Sequence, residues 1–215
     1  MSNTSSYVLA FLGAVGLAGC ATGAETASLA PAAATASAAA KEQTASHGGS
    51  AYDRPGYITE VEDGRLWVFE ADTEEYAQFK AQGEPAKMVT RIAAGPERMT
   101  LRSTDPDVID GYLLSRPGYA TKVEDGRLWV FEADSKEYAQ FKAHGEPAKM
   151  VTRIAAAPNG MTIRSTSAEV IDGYLLSRPG YVTKVEDGRL WVFEADSEEY
   201  AQFKAHGEPA KMVTR

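Results

Sequence analysis

Apolar and polar residues alternate through Tyr57-Ile58-Thr59-Glu60-Val61-Glu62, break at Asp63-Gly64, and resume from Arg65 to Phe69. Alternation of period two predicts strands. An Asp-Gly pair between two such runs predicts a two-residue hairpin turn with positive φ at both central positions. A turn there sets Glu62 opposite Arg65, Val61 opposite Leu66, Glu60 opposite Trp67, Thr59 opposite Val68 and Ile58 opposite Phe69. Tyr57, Thr59, Val61, Leu66 and Val68 then share one face, read as the core side. Ile58, Glu60, Glu62, Arg65, Trp67 and Phe69 share the other, which mixes charge with two large aromatics.

The pattern next changes period. Asp72-Thr73 can cap a helix with acids in its first turn, and EEYAQFKAQ places Tyr76 and Phe79 three apart before Gly83 stops it and Pro85 prevents its resumption. Two further strand-like runs, KMVTRIA and MTLRS, predict a second hairpin, joined in the next copy by Pro158-Asn159-Gly160. A closing helix, DVIDGYLLS, puts Val108, Ile109, Tyr112 and Leu113 on one side. Arg116-Pro117-Gly118 ends it.

The whole phrase recurs. Arg-Pro-Gly stands at 54, 116 and 178, so the period is 116 − 54 = 62 and 178 − 116 = 62 residues. The expected architecture is α+β: tandem 62-residue ββαββα repeats, with antiparallel hairpins and short helices packed on one side. The repeats run 54–115, 116–177 and 178–215, the third holding only the first hairpin, the first helix and one strand. Units that each contact a neighbour tolerate a short terminal unit better than isolated beads do, which favours a packed array. DGRLWVF resembles the strand signature of propeller repeats, but the longer period and intervening helices argue against that fold.

Composition narrows the function. The chain of 215 residues carries a net charge of −8 with bases scattered singly, which gives no electrostatic footprint for nucleic acid. The first 53 residues differ in kind. Tyr7 to Gly19 form an apolar run too short to cross a bilayer, and the run suits a signal-peptide core over residues 1–19. It ends in Leu17-Ala18-Gly19-Cys20, which resembles the lipobox of bacterial lipoproteins, although the leading MSNTSS has no Lys or Arg. The resemblance covers residues 1 to 20 and implies lipidation of Cys20, the only cysteine. It also implies a membrane anchor in the cell envelope, with Ala21 leaning to the outer membrane where the organism has one. Residues 20–53, rich in Ala, Thr and Ser, read as a flexible tether carrying His47 in a solvated setting.

Chemistry-bearing motifs are sparse. No GxSxG, Walker loop, GxGxxG or HExxH occurs, and no DxDxDG-like calcium loop, so no cofactor, metal or catalytic residue is assigned and enzymatic activity is not expected. His144 and His206 fall at helix C-termini, where the helix dipole accommodates them. Acids near the first turn and helix start, including Glu60, Glu62, Asp63, Asp72, Glu74 and Glu75, read as a solvated face; Glu124, Asp125, Glu186 and Asp187 repeat the turn group. The best candidates for ligand binding are the strand aromatics Trp67, Phe69, Trp129, Phe131, Trp191 and Phe193. An aromatic face suits stacking on a glycan or an apolar protein surface, and repetition adds avidity. The expectation is a lipid-anchored envelope protein that binds a protein or glycan partner. One alternative is a structural spacer with its aromatics buried; another is a hydrolase using paired carboxylates.

Overall fold

The computed structural model describes residues 49–208 and Val213. The signal-peptide and lipidation expectations, and the tether up to residue 48, lie outside the described residues.

Unit 1 opens with strands β1 (Tyr57–Glu62) and β2 (Arg65–Glu70), followed by helix α1 (Glu74–Gln82). The hairpin register is the one expected, with Glu62 opposite Arg65 through Ile58 opposite Phe69. Asp63 and Gly64 carry φ of 50° and 71°, the conformation the tight turn requires. Strands β3 (Val89–Arg91) and β4 (Thr100–Ser103) pair antiparallel, and helix α2 (Pro106–Leu114) closes the unit. Asp105 caps α2 by accepting from the Asp107 amide at 2.8 Å.

Two features depart from expectation. The sheet order is β1-β2-β4-β3, and β4 joins β2 in parallel, with Arg65, Leu66 and Trp67 opposite Thr100, Leu101 and Arg102. Parallel neighbours need a long crossover, here supplied by α1 and β3. The helices also divide between the two faces of the sheet. Phe79 of α1 lies against Trp67 and Phe69, whereas Ile109 and Tyr112 of α2 lie against Tyr57, Leu66 and Val68. Because both faces are covered, the run Leu66-Trp67-Val68-Phe69 is apolar without interruption.

Unit 2 repeats this plan. It comprises β5 (Tyr119–Glu124), β6 (Arg127–Glu132), α3 (Lys136–His144), β7 (Val151–Arg153), β8 (Thr162–Ser165) and α4 (Ala168–Leu176). Its sheet order is β5-β6-β8-β7. Unit 3 contributes β9 (Tyr181–Glu186), β10 (Arg189–Glu194) and α5 (Glu198–His206).

The units pack as an array. Helix α2 lies against β5 of the next unit as well as against its own sheet, and α4 does the same with β9. Residues 50–53, assigned to the tether from composition, instead form a turn on unit 1. The Asp53 amide donates to the Ser50 carbonyl at 3.0 Å, and the Asp53 carboxylate accepts from both the amide and the hydroxyl of Thr59 at 2.7 Å.

Candidate functional site

The strand aromatics are core residues in units 1 and 2. Trp67 is 1% exposed and Trp129 is 2% exposed, and Phe69 and Phe131 are buried beside them. Trp67 and Phe69 stack with ring centroids 6.2 Å apart, and Phe79 caps both at 5.0 Å. The guanidinium of Arg102 lies 5.4 Å from the Trp67 ring, and Arg164 repeats this over Trp129 at 5.3 Å. In unit 3 Phe193 is buried and Trp191 half-buried, both under Phe203 of α5. Helices and arginines occupy the face proposed as a stacking platform, so the rings of units 1 and 2 offer no open surface to a ligand.

Residues at the seams between units also recur in one geometry. The Tyr57 hydroxyl donates to the Thr121 carbonyl of unit 2 at 2.7 Å. The Tyr119 hydroxyl donates to the Thr183 carbonyl of unit 3 in the same way. In return the Thr121 hydroxyl donates to the Gly111 carbonyl at 2.8 Å, and the Thr183 hydroxyl to the Gly173 carbonyl at 2.6 Å. Burial pushes the Tyr57 and Tyr119 hydroxyls far above the usual tyrosine range, so they are permanent donors at physiological pH. Gly111 and Gly173 sit where any Cβ would run into the Tyr57 and Tyr119 hydroxyls.

Ion pairs line the seam edges. Lys122 reaches Glu70 at 3.3 Å and Lys142 reaches Asp72 at 3.2 Å; Lys184–Glu132 and Lys204–Asp134 repeat them at 3.7 and 3.1 Å. Unit 1 has no described unit before it, and its sequence differs accordingly. Glu60 stands where later units have Lys122 and Lys184, and it pairs with Lys80 of its own unit at 3.2 Å. Asp53 takes over the acceptor role that the Gly111 and Gly173 carbonyls play for the later threonines.

The Arg-Pro-Gly loops of successive units border a groove of 830 Å³ whose lining includes Arg54, Pro55, Arg116, Pro117, Tyr200 and Lys204. Its arginines are engaged structurally: Arg54 donates to the Tyr112 carbonyl at 2.8 Å and lies over the Tyr112 ring, and Arg116 lies over the Tyr174 ring.

The acids singled out from the sequence do not converge. Glu62, Asp63, Glu74, Glu75, Glu124, Asp125, Glu186 and Asp187 are exposed, and Glu60 and Asp72 are spent in ion pairs. Among the described residues no three of His, Cys, Asp and Glu cluster as metal ligands. His144 and His206 are exposed at the ends of α3 and α5. Sequence reasoning missed the seam tyrosines and glycines. The available signal was an interior glycine kept at the same helix position in both complete units, a costly choice in a helix unless a neighbour needs the space.

No family model, curated protein or solved structure matches the chain. Among the described residues no helix is long and apolar enough to cross a membrane.

Proposed function

We propose that the chain is a lipid-anchored bacterial envelope protein whose repeats form a stiff, non-enzymatic array that spaces or presents an interaction surface. The burial of Trp67 and Trp129 carries this reading, because rings held beneath helices and arginines serve packing and leave spacing as the array's principal task. Tyrosine-to-carbonyl hydrogen bonds at both seams support stiffness. The lipobox-like Leu17-Ala18-Gly19-Cys20 supports the anchor.

Two measurements test the reading. Radiolabelled palmitate is expected to enter the wild-type chain in a bacterial host and to be lost in Cys20→Ser; equal labelling of both removes the anchor. On purified protein, acrylamide is expected to quench the tryptophan emission far less than it quenches free tryptophan, and Trp129→Ala is expected to unfold the array. Full quenching, or a folded Trp129→Ala that merely loses a glycan ligand, restores the aromatic platform.

A further inference from the structure

The groove of 830 Å³ along the Arg-Pro-Gly loops falls within the range of about 300–1,000 Å³ usual for ligand sites. Three successive units meet in it, for Pro55, Pro117 and Pro179 come one from each. Its guanidiniums are only half engaged. Arg54 and Arg116 lie over the Tyr112 and Tyr174 rings, 4.2 and 5.4 Å from the centroids. Contact with a ring uses the face of a guanidinium and leaves in-plane N–H groups, the edge that grips a carboxylate. Among the described residues neither arginine pairs with a carboxylate, whereas Lys122, Lys142, Lys184 and Lys204 along the seams all do.

Two buried donors that line the groove have no partner, Ser115 Oγ and Arg116 Nε. The other buried orphans among the described residues come in matched pairs, Arg102 with Arg164 and Ser103 with Ser165, and so belong to the plan of every complete unit. Ser115 and Arg116 have no such match. At the same step of unit 2 the Ser177 hydroxyl donates to the Tyr174 carbonyl at 2.7 Å. Next to Ser115 the corresponding Tyr112 carbonyl already accepts from Arg54 at 2.8 Å. Leaving a buried donor unpaired is costly, and an acceptor carried in by a ligand removes that cost. Turning the Ser115 hydroxyl toward such a ligand breaks no hydrogen bond.

Asp53 and Asp196 also line the groove, so its charge is mixed and a bare polyanion is a poor match. Carboxylates beside guanidiniums call for a ligand that donates as well as accepts, which is what hydroxyl groups do. Leu113 and Pro117 add apolar surface for C–H faces. We infer that the groove is a binding site for a short acidic oligosaccharide, with a sugar carboxylate on the edge of Arg116 and the Ser115 hydroxyl, and sugar hydroxyls shared among Arg54, Asp196 and Tyr200. The interaction surface of the array then runs along its Arg-Pro-Gly loops, away from the buried tryptophans.

The site rests on the packed-array reading, since its walls come from three units, and the test separates the two. Trigalacturonate, and maltotriose as a neutral counterpart, are titrated into the full chain and followed by calorimetry and amide hydrogen exchange. Saturable binding of trigalacturonate is expected, with slowed exchange at residues 113–118 and maltotriose weaker by at least about tenfold. Ser115→Ala removes a hydroxyl that has no partner, so it is expected to keep the wild-type melting temperature and to weaken trigalacturonate by at least about threefold. Arg116→Lys keeps the charge but loses the fork, and is expected to weaken it by at least about tenfold. Absence of saturable binding, maltotriose as tight as trigalacturonate, or wild-type affinity in both variants overturns the site. If the tryptophans quench as freely as in solution, the array and the groove fall together; protected tryptophans without trigalacturonate binding overturn the groove site alone.

Discussion

The Tyr57 hydroxyl donates to the Thr121 carbonyl across the first seam at 2.7 Å, joining strand β1 of one unit to strand β5 of the next. Removing that hydroxyl leaves a buried carbonyl without its partner, which costs about 1–3 kcal/mol. Tyr57→Phe is expected to lower the denaturant midpoint accordingly while leaving the slope unchanged, since the fold and its buried area persist. A midpoint equal to wild type means the hydroxyl is not a structural bond.

Gly111 and Tyr57 form a coupled pair. A Cβ at Gly111 would collide with the Tyr57 hydroxyl and reach its Cζ at 3.0 Å. Gly111→Ala is expected to destabilise by about 1–3 kcal/mol through overpacking, despite the better helix propensity of alanine. Adding Tyr57→Phe removes the colliding oxygen, so the double variant is expected to lose less than the two single losses added together. Strict additivity in a double-mutant cycle contradicts the geometry.

The turn between β3 and β4 stores backbone strain that the second copy avoids. Glu97 and Arg98 have φ of 51° and 63°, where unit 2 places Asn159 and Gly160 at 60° and 71°. A left-handed conformation costs a non-glycine residue about 1–2 kcal/mol. Arg98→Gly is expected to recover part of this and raise the melting temperature, while sparing the Tyr52 hydroxyl to Glu97 hydrogen bond at 3.1 Å. A lower melting temperature would show that the Arg98 side chain contributes more than the strain removes.

Alkali should dissolve the array. Burial, aided by Glu70 and Asp72 around Tyr138 and by Glu132 and Asp134 around Tyr200, pushes both hydroxyls up to about 12. Tyr57 and Tyr119 are also raised, by burial first. An unfolded tyrosine releases its proton near 10. Between about 10 and 12 the unfolded chain thus holds fewer protons than the folded one, and stability falls as pH rises. Below about 10 this contribution is intact. Denaturant midpoints are expected to be level to about pH 9 and to drop steeply above 10, with late tyrosine ionisation in the ultraviolet coinciding with unfolding. A midpoint unchanged through about pH 11 contradicts the burial of these groups.

The first hairpin was legible to the residue, because Asp63-Gly64 permits one tight turn and alternation then leaves one register. The 62-residue unit and its helices were legible for the same local reasons. The pairing of β2 with β4 was not, since parallel partners are set by a crossover that no short-range pattern encodes. For the aromatic face, alternation alone implies one wet side and left both a binding face and a buried one open. The unbroken run Leu66-Trp67-Val68-Phe69 was the sign that both sides are covered. The seams could not be read from one unit at all, because Tyr57 and Thr121 lie 64 residues apart and meet only when units stack.

Because each seam uses the same tyrosine, threonine and glycine, the array has a quantum of length. Excising residues 116–177 would bring Tyr57 to Thr183 and Gly111 beneath the same hydroxyl, and the junction Ser115–Arg178 would reproduce the Ser177–Arg178 step already present. Recombination between copies can therefore shorten or lengthen this protein in whole units without a single new contact to be invented, so that reach becomes a quantity the genome adjusts by counting.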